Sequence, residues 1–275
     1  MRNNPKKTVP NLFMAANWST EKQMVRLFAE GLRCGVRGFD TAREYKVEKK
    51  VGNALKHALQ ETGIAREDVF VQSRISNEEI IRGNIRDEVL KSIDKMGLEY
   101  LDCFMFHWPT PNYYIKAWVA LENLFTTDKV IGSLGICNCR LRHLLQMEKE
   151  CIMLPDILQV EITPLWQVCD LRDYCSDKGI LLQAFSPLCK MIPPIRSNAI
   201  LNDLASKYGV SIPQIIIRWN YQRGIRPISL TSKVERVKSN YNIWGFELSE
   251  EDMKRIRSID CGYKYHLESA TCSGF

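Results

Sequence analysis

Eight short apolar or β-branched runs recur along the chain, and the gaps between them constrain the fold more than any other feature. They lie near 11–16 (NLFMAA), 36–39 (VRGF), 68–72 (DVFVQ), 101–106 (LDCFMF), 131–136 (IGSLGI), 157–161 (ILQVE), 180–185 (ILLQAF) and 225–228 (IRPI). Runs this short suit strands, and their near-continuous apolarity suits strands covered on both faces. Their starts are separated by 25, 32, 33, 30, 26, 23 and 45 residues. Each interval holds one strand, one helix and two loops, and the last has room for an extra helix.

Helical patterns fill the gaps. Val25, Phe28, Ala29 and Leu32 follow the i, i+3, i+4, i+7 rule, with Thr20 and Gln23 placed as a capping box. Val47, Val51, Ala54, Leu55 and Ala58 form a second stripe. Ile85, Val89, Ile93 and Met96 form a third, which Gly97 should end. Ser211 and Ser249 are expected to start two later helices.

Eight strands alternating with helices predict an α/β protein, a closed (β/α)8 TIM barrel with extra helices and a C-terminal tail. An open doubly wound sheet would want a glycine-rich turn after its first strand, and AANWST has no glycine. With no linker or low-complexity tract in sight, residues 1–275 read as a single barrel domain.

Composition narrows the function. The 38 Lys and Arg residues exceed the 32 Asp and Glu residues by six, but they are interleaved with acids rather than gathered into a patch. A nucleic-acid partner is therefore not expected. No run approaches the roughly 18 apolar residues of a membrane span, and the basic N-terminus lacks the apolar core of a secretory signal. The expectation is a soluble, cytoplasmic protein without a membrane partner, monomeric by default. Ten cysteines show no CxxC spacing, so reduced thiols are expected, with no metal site.

A barrel gathers its chemistry at the C-terminal ends of its strands. There the sequence places Asp40 and Tyr45 (GFDTAREY), Arg74 (VQSRIS), His107 (FMFHWP), Asn138 (GICNC), Gln159 and Glu161 (QVEITP), and Phe185 with Ser186 (AFSPL). Any one of these has a respectable scaffolding explanation. Asp, Tyr, Arg and His converging on one rim do not share one.

These segments resemble the aldo-keto reductases over nearly the whole chain. GFDTAREYKVEKKVGNAL is similar to that family's DTAxxYxNExxxGxAL, LEYLDCFMFHWP to LDYxDLxLIHWP, IGSLGICNC to IGVSNF, LQVEITP to NQVExHP and AFSPL to AYSPLG. VERVKSN carries its RxxxN spacing at Arg236 and Asn240. The resemblance implies hydride transfer between a nicotinamide dinucleotide, NADPH or alternatively NADH, and a small-molecule carbonyl. It implies Tyr45 as general acid, His107 orienting the carbonyl, and Asp40 paired with a basic residue beside Tyr45. Asn138 and Gln159 would grip the nicotinamide carboxamide and Phe185 would stack on its ring. Ser186, Thr231, Arg236 and Asn240 would complete the cofactor site, with Trp18 and Trp108 as walls of the substrate pocket.

Three departures from that pattern stand out. Arg74 occupies the place of the family's lysine; it keeps the charge but does not readily release a proton. Leu230, in Ser229-Leu230-Thr231, replaces the lysine that grips a 2′-phosphate, leaving Arg236 and Lys233 for that task. Met14-Ala15-Ala16-Asn17-Trp18 replaces a glycine-containing segment, and the hairpin that would close the barrel bottom looks shortened. These changes admit an alternative reading, a catalytically weak barrel that binds dinucleotide as a sensor or subunit. The loops at 109–115, 187–198 and 261–275 would set the substrate, with Tyr113, Tyr114, Tyr263, Tyr265 and Phe275 as candidate mouth residues and His266 as a surface residue.

Overall fold

The computed structural model describes residues 7–16 and 20–266. Trp18, Cys272 and Phe275 lie outside the described residues. Eight parallel strands close on themselves in chain order: β1 (Phe13–Ala15), β2 (Gly38–Asp40), β3 (Phe70–Ile75), β4 (Cys103–Phe106), β5 (Leu134–Cys137), β6 (Ile157–Glu161), β7 (Leu181–Phe185) and β8 (Arg226–Ser229). β8 pairs with β1 through Phe13 opposite Ile228 and Met14 opposite Ser229. The (β/α)8 barrel is thus realised, each strand lying within a few residues of its apolar run.

Strand periodicity divides the residues between two cores. On β3, Phe70 joins an interior cluster with Phe13, Cys103, Met105, Cys137, Ile157 and Ile228. Its neighbours Val71 and Ile75 join the larger core beneath the helices. Interior space is tight: a Cβ on Gly38 would come 2.5 Å from the Phe13 ring. Above the apolar layer the same alternation delivers Asp40, Gln72, Gln159 and Gln183 inward, and β2–β3 and β6–β7 register aligns Asp40 with Gln72 and Gln159 with Gln183.

The helices start and stop where their caps dictate. Thr20 Oγ1 accepts from Gln23 N ahead of the helix Glu21–Arg33. The other half of the expected box is replaced, because Gln23 Nε2 donates to Ser232 O at 3.0 Å. Gly97, left-handed, ends Ile85–Met96, and Ser211 with Gln214 makes a complete box before Ile212–Gln222. Ser249 caps Glu250–Arg257. Helix Glu48–Thr62 crosses the end of Ile85–Met96 so closely that a Cβ on Gly52 would lie 1.8 Å from the Met96 carbonyl oxygen.

At the barrel bottom, residues 7–12 do the covering expected of a hairpin. Lys7 Nζ sits 2.8 Å from Asp102 and donates to Val69 O, while Val9 packs on the interior cluster. A cavity of about 480 Å³ remains between this segment, Phe70 and Trp244, so the bottom is covered only in part. Among the described residues no helix is long and apolar enough to cross a membrane.

Candidate active site

The rim is built from β2 upward. After Asp40 the chain makes a short 3-10 turn, Arg43–Tyr45, closed by Lys46 at φ 55°. Arg43 pins this turn: it bonds Glu79 at 2.8 Å and Glu88 more closely still, and lies 3.6 Å from Glu48. Ser73 Oγ donates to Glu48 at 2.8 Å. Three buried carboxylates on one guanidinium fix the turn against the helices that follow β2 and β3, and so fix the direction of Tyr45.

Beneath Tyr45 lies a fully buried polar layer. Arg74 Nη2 donates to Asp40 Oδ2 at 2.6 Å. Its Nη1 donates to Gln159 Oε1 in a short bond and approaches Cys137 Sγ at 3.4 Å. Asp40 Oδ1 accepts from Gln72 Nε2 at 2.6 Å and from Gln159 Nε2 at 3.1 Å. Gln183 exchanges amide bonds with Gln72 and accepts another from Gln159. Burial alone would lower the Arg74 pKa, but Asp40, together with Cys137 and Tyr45, outweighs it and holds the guanidinium charged.

The Arg74 guanidinium stands 5.9 Å from the Tyr45 ring centroid. Burial pushes the Tyr45 phenol up from its ordinary value; the Arg74 charge opposes this and Asp40 adds to it. His107 meets Tyr45 edge-on, with ring centroids 6.2 Å apart, and stacks on Trp108 at 6.4 Å. His107 Nδ1 lies 3.0 Å from Glu44 Oε2, and that contact lowers the Glu44 pKa. A phenol, an imidazole and a buried cation therefore converge on one point of the rim, a set able to donate a proton to an oxygen placed there.

The residues expected to meet a cofactor divide into two groups. Asn138 is at the rim in a left-handed conformation (φ 61°) and donates through Nδ2 to His107 O at 2.9 Å. Phe185 and Ser186 are half-buried at the end of β7. Thr231 Oγ1 accepts from Lys233 N, and Leu230 is 48% exposed beside it. Among the described residues no carboxylate ion-pairs with Lys233 or Arg236. An aromatic ring, a rim amide, hydroxyls and two available cations suit a phosphate-bearing nicotinamide dinucleotide. Two residues sit differently: Asn240 is buried and donates to Ser229 Oγ at 3.3 Å, and Gln159 is buried in the polar layer.

Several participants escaped sequence reading. Glu44 has no motif signal, since only the turn aims it at His107. Gln72 and Gln183 did leave one, as amides in otherwise apolar strands at the level of Asp40. The tail is the largest surprise. Tyr265 N and His266 N both donate to Glu161, at 2.6 and 2.8 Å, while His266 Nε2 lies 2.8 Å from Ser186 Oγ and its ring 5.5 Å from that of Phe185. His266 is thus a half-buried rim residue rather than a surface one. Tyr114 is buried and donates to Gln146 at 2.6 Å, facing His143 in the helical layer and not the mouth.

A cavity of about 830 Å³ adjoins the Arg43 turn, lined by Glu44, Lys46, Lys49, Ser76, Asn77 and Lys95 among others, but not by Tyr45 or His107. All nine described cysteines are free thiols.

The chain belongs to the aldo/keto reductase family: that family's model matches residues 13–192 and 194–261. It is 37% identical to the glyoxal reductase of Bacillus subtilis over 229 residues, which cover 83% of this chain and 80% of that protein. Its fold is similar to MGS-M4, an aldo-keto reductase from a deep-sea metagenome library, with a TM-score of 0.85, 29% identity and 94% of each chain covered. It also matches the fold of a Bombyx mori aldo-keto reductase solved with NADP (TM-score 0.88, 23% identity, covering 94% of this chain and 92% of that one).

Proposed function

We propose that the chain reduces an aldehyde or ketone to an alcohol by hydride transfer from a nicotinamide cofactor, with Tyr45 as general acid. The observation that carries this is the edge-on approach of Tyr45 and His107 at the rim, above the Arg74–Asp40 pair. A bound reduced nicotinamide supplies the hydride. His107 orients the carbonyl oxygen toward the Tyr45 hydroxyl, and the phenol gives its proton as negative charge develops there. Arg74 stays charged and acts through its field on Tyr45, without passing a proton. The likeness to a glyoxal reductase favours a small, electrophilic carbonyl as substrate class.

NADPH is the favoured cofactor, because Lys233 and Arg236, which ion-pair with no carboxylate among the described residues, can meet a 2′-phosphate, and NADH is the competitor because Leu230 cannot. Fluorescence titration with both dinucleotides tests the site, and a screen of small aldehydes with the cofactor that binds tests the reaction. Y45F should lose about 10²–10⁴-fold in turnover, the usual worth of a positioned general acid, while cofactor affinity is kept. Unchanged carbonyl reduction in Y45F would remove Tyr45 from the mechanism. Arg74 in the place of lysine also favours a second reading, a catalytically weak barrel that binds dinucleotide. Cofactor binding without turnover on any carbonyl would establish it.

A further inference from the structure

Arg74 changes more than the charge beneath Tyr45. A lysine ammonium presents its donors from one point, whereas a guanidinium is a planar fork whose two terminal nitrogens can serve partners side by side. Here one nitrogen serves Asp40 at 2.6 Å and the other serves Gln159 Oε1. The remaining end of the Gln159 amide is also spent, donating to Asp40 at 3.1 Å and to Gln183 at 3.0 Å. Gln159 is only 2% exposed and Arg74 only 3%. Turning Gln159 toward the rim would strip a buried guanidinium nitrogen of its oxygen and a buried carboxylate of a donor, each a loss of a charge-assisted bond. Asn138, by contrast, sits at the rim and spends its amide nitrogen on a neighbouring backbone carbonyl.

We infer that Arg74 holds Gln159 as a structural member of the buried barrel layer, so that Asn138, and not Gln159, meets the carboxamide of a bound nicotinamide. Arg74 is then a positioning residue for ligand recognition as well as for Tyr45. Only the carboxamide half of this rests on the reductase reading; the hold on Gln159 stands without a ligand.

Two measurements separate the halves. The first is denaturant unfolding of the ligand-free wild type, R74K, Q159A and the double variant. Q159A should lower the unfolding midpoint in the wild type and lower it less than half as much in the R74K background. Equal losses in both backgrounds would overturn the hold. The second is a fluorescence titration with NADP⁺ and with its 3-acetylpyridine analogue, whose ring bears an acetyl group in place of the carboxamide. Wild type and Q159A should both prefer NADP⁺ by about tenfold, the worth of the one hydrogen bond that the carboxamide NH₂ gives Asn138 Oδ1; R74K should prefer it by about a hundredfold, and R74K/Q159A should fall back to the wild-type ratio. A tenfold preference in the wild type that vanishes in Q159A would overturn the assignment. If neither dinucleotide binds while the unfolding losses are non-additive, the reductase reading falls and the hold on Gln159 stands. Should R74K fail to fold, glutamine-labelled wild type decides the matter by NMR. A slowly exchanging Gln159 side-chain amide unmoved by NADP⁺ supports the inference, and one that shifts on binding refutes it.

Discussion

Arg74 and Asp40 form an ion pair at 2.6 Å inside the barrel, each no more than 3% exposed, and the carboxylate accepts two further bonds from Gln72 and Gln159. Every oxygen of Asp40 therefore faces a donor. D40N puts an amide NH₂ where a donor already points and leaves the guanidinium without its counter-charge. The expected cost is about 3–5 kcal/mol, as for breaking a buried ion pair. Equilibrium denaturation measures it; a loss below about 1 kcal/mol would mean the layer rearranges around the amide.

The raised pKa of Tyr45 has a kinetic consequence. With the phenol as the proposed proton donor, reduction should persist while it is protonated and fade only above its ordinary value of 10.0. The alkaline limb of the pH–rate profile belongs above pH 10, and Y45F should lack it. A limb near pH 8 that survives in Y45F would assign the titrating group elsewhere.

His143 is buried between the helices following β4 and β5, where its Nδ1 accepts from Arg140 N at 3.0 Å. Burial, with Arg142 and Arg140 nearby, pushes its pKa down from 6.5 to about 4. The unfolded chain binds this proton more readily than the folded one. The stabilising contribution is therefore complete above pH 6.5, is lost as pH falls toward 4, and changes no further below that. The loss is bounded by about 3 kcal/mol. Thermal melts between pH 7 and 4 should show a steeper decline for the wild type than for H143Q.

Gly52 lies where a Cβ would come 1.8 Å from a backbone oxygen of the facing helix. Because that oxygen belongs to Met96 of the main chain, no rotamer change relieves the clash, and the helices must part. G52A should cost about 2 kcal/mol or more, lowering the melting temperature by several degrees. An unchanged melt would show that the two helices part without cost.

Glu161 clasps the tail through two consecutive backbone N–H groups. E161A removes both acceptors. Lys264 is the first lysine or arginine after Arg257, so release of the tail is readable as tryptic cleavage there. Cleavage should be about tenfold faster in E161A than in the wild type, tracking the greater open population. Equal rates would place the anchoring in the His266–Ser186 contact instead.

Leu230, 48% exposed just after β8, precedes Lys233 and Arg236 in the same stretch of chain. L230K adds a third cation to that turn and should raise the NADPH-over-NADH affinity ratio about tenfold, readable by the same fluorescence titration. No change would place the 2′-phosphate away from this loop.

What was legible in the sequence followed from periodicity and caps. The eight apolar runs marked eight strands because a strand covered on both faces carries polar residues only where, as at Gln72 and Gln159, other buried groups satisfy them. Thr20, Gly97, Ser211 and Ser249 marked helix ends because orphaned backbone groups there need partners that only certain side chains provide. The motif order located Asp40, Tyr45, Arg74 and His107 on one rim, since strand ends in a closed barrel share a face. Contacts between distant segments were not legible. Glu44 reaches His107 only because three carboxylates pin the Arg43 turn, and His266 reaches Ser186 across 80 residues because Glu161 holds the tail. Residue type announced Arg74 as a charge, but only the packed barrel decided that its second nitrogen would take Gln159 out of the rim. The sequence by itself determined which groups are available. The tertiary structure decided which are already spent, because a hydrogen bond in a buried layer depends on distances that no local pattern encodes.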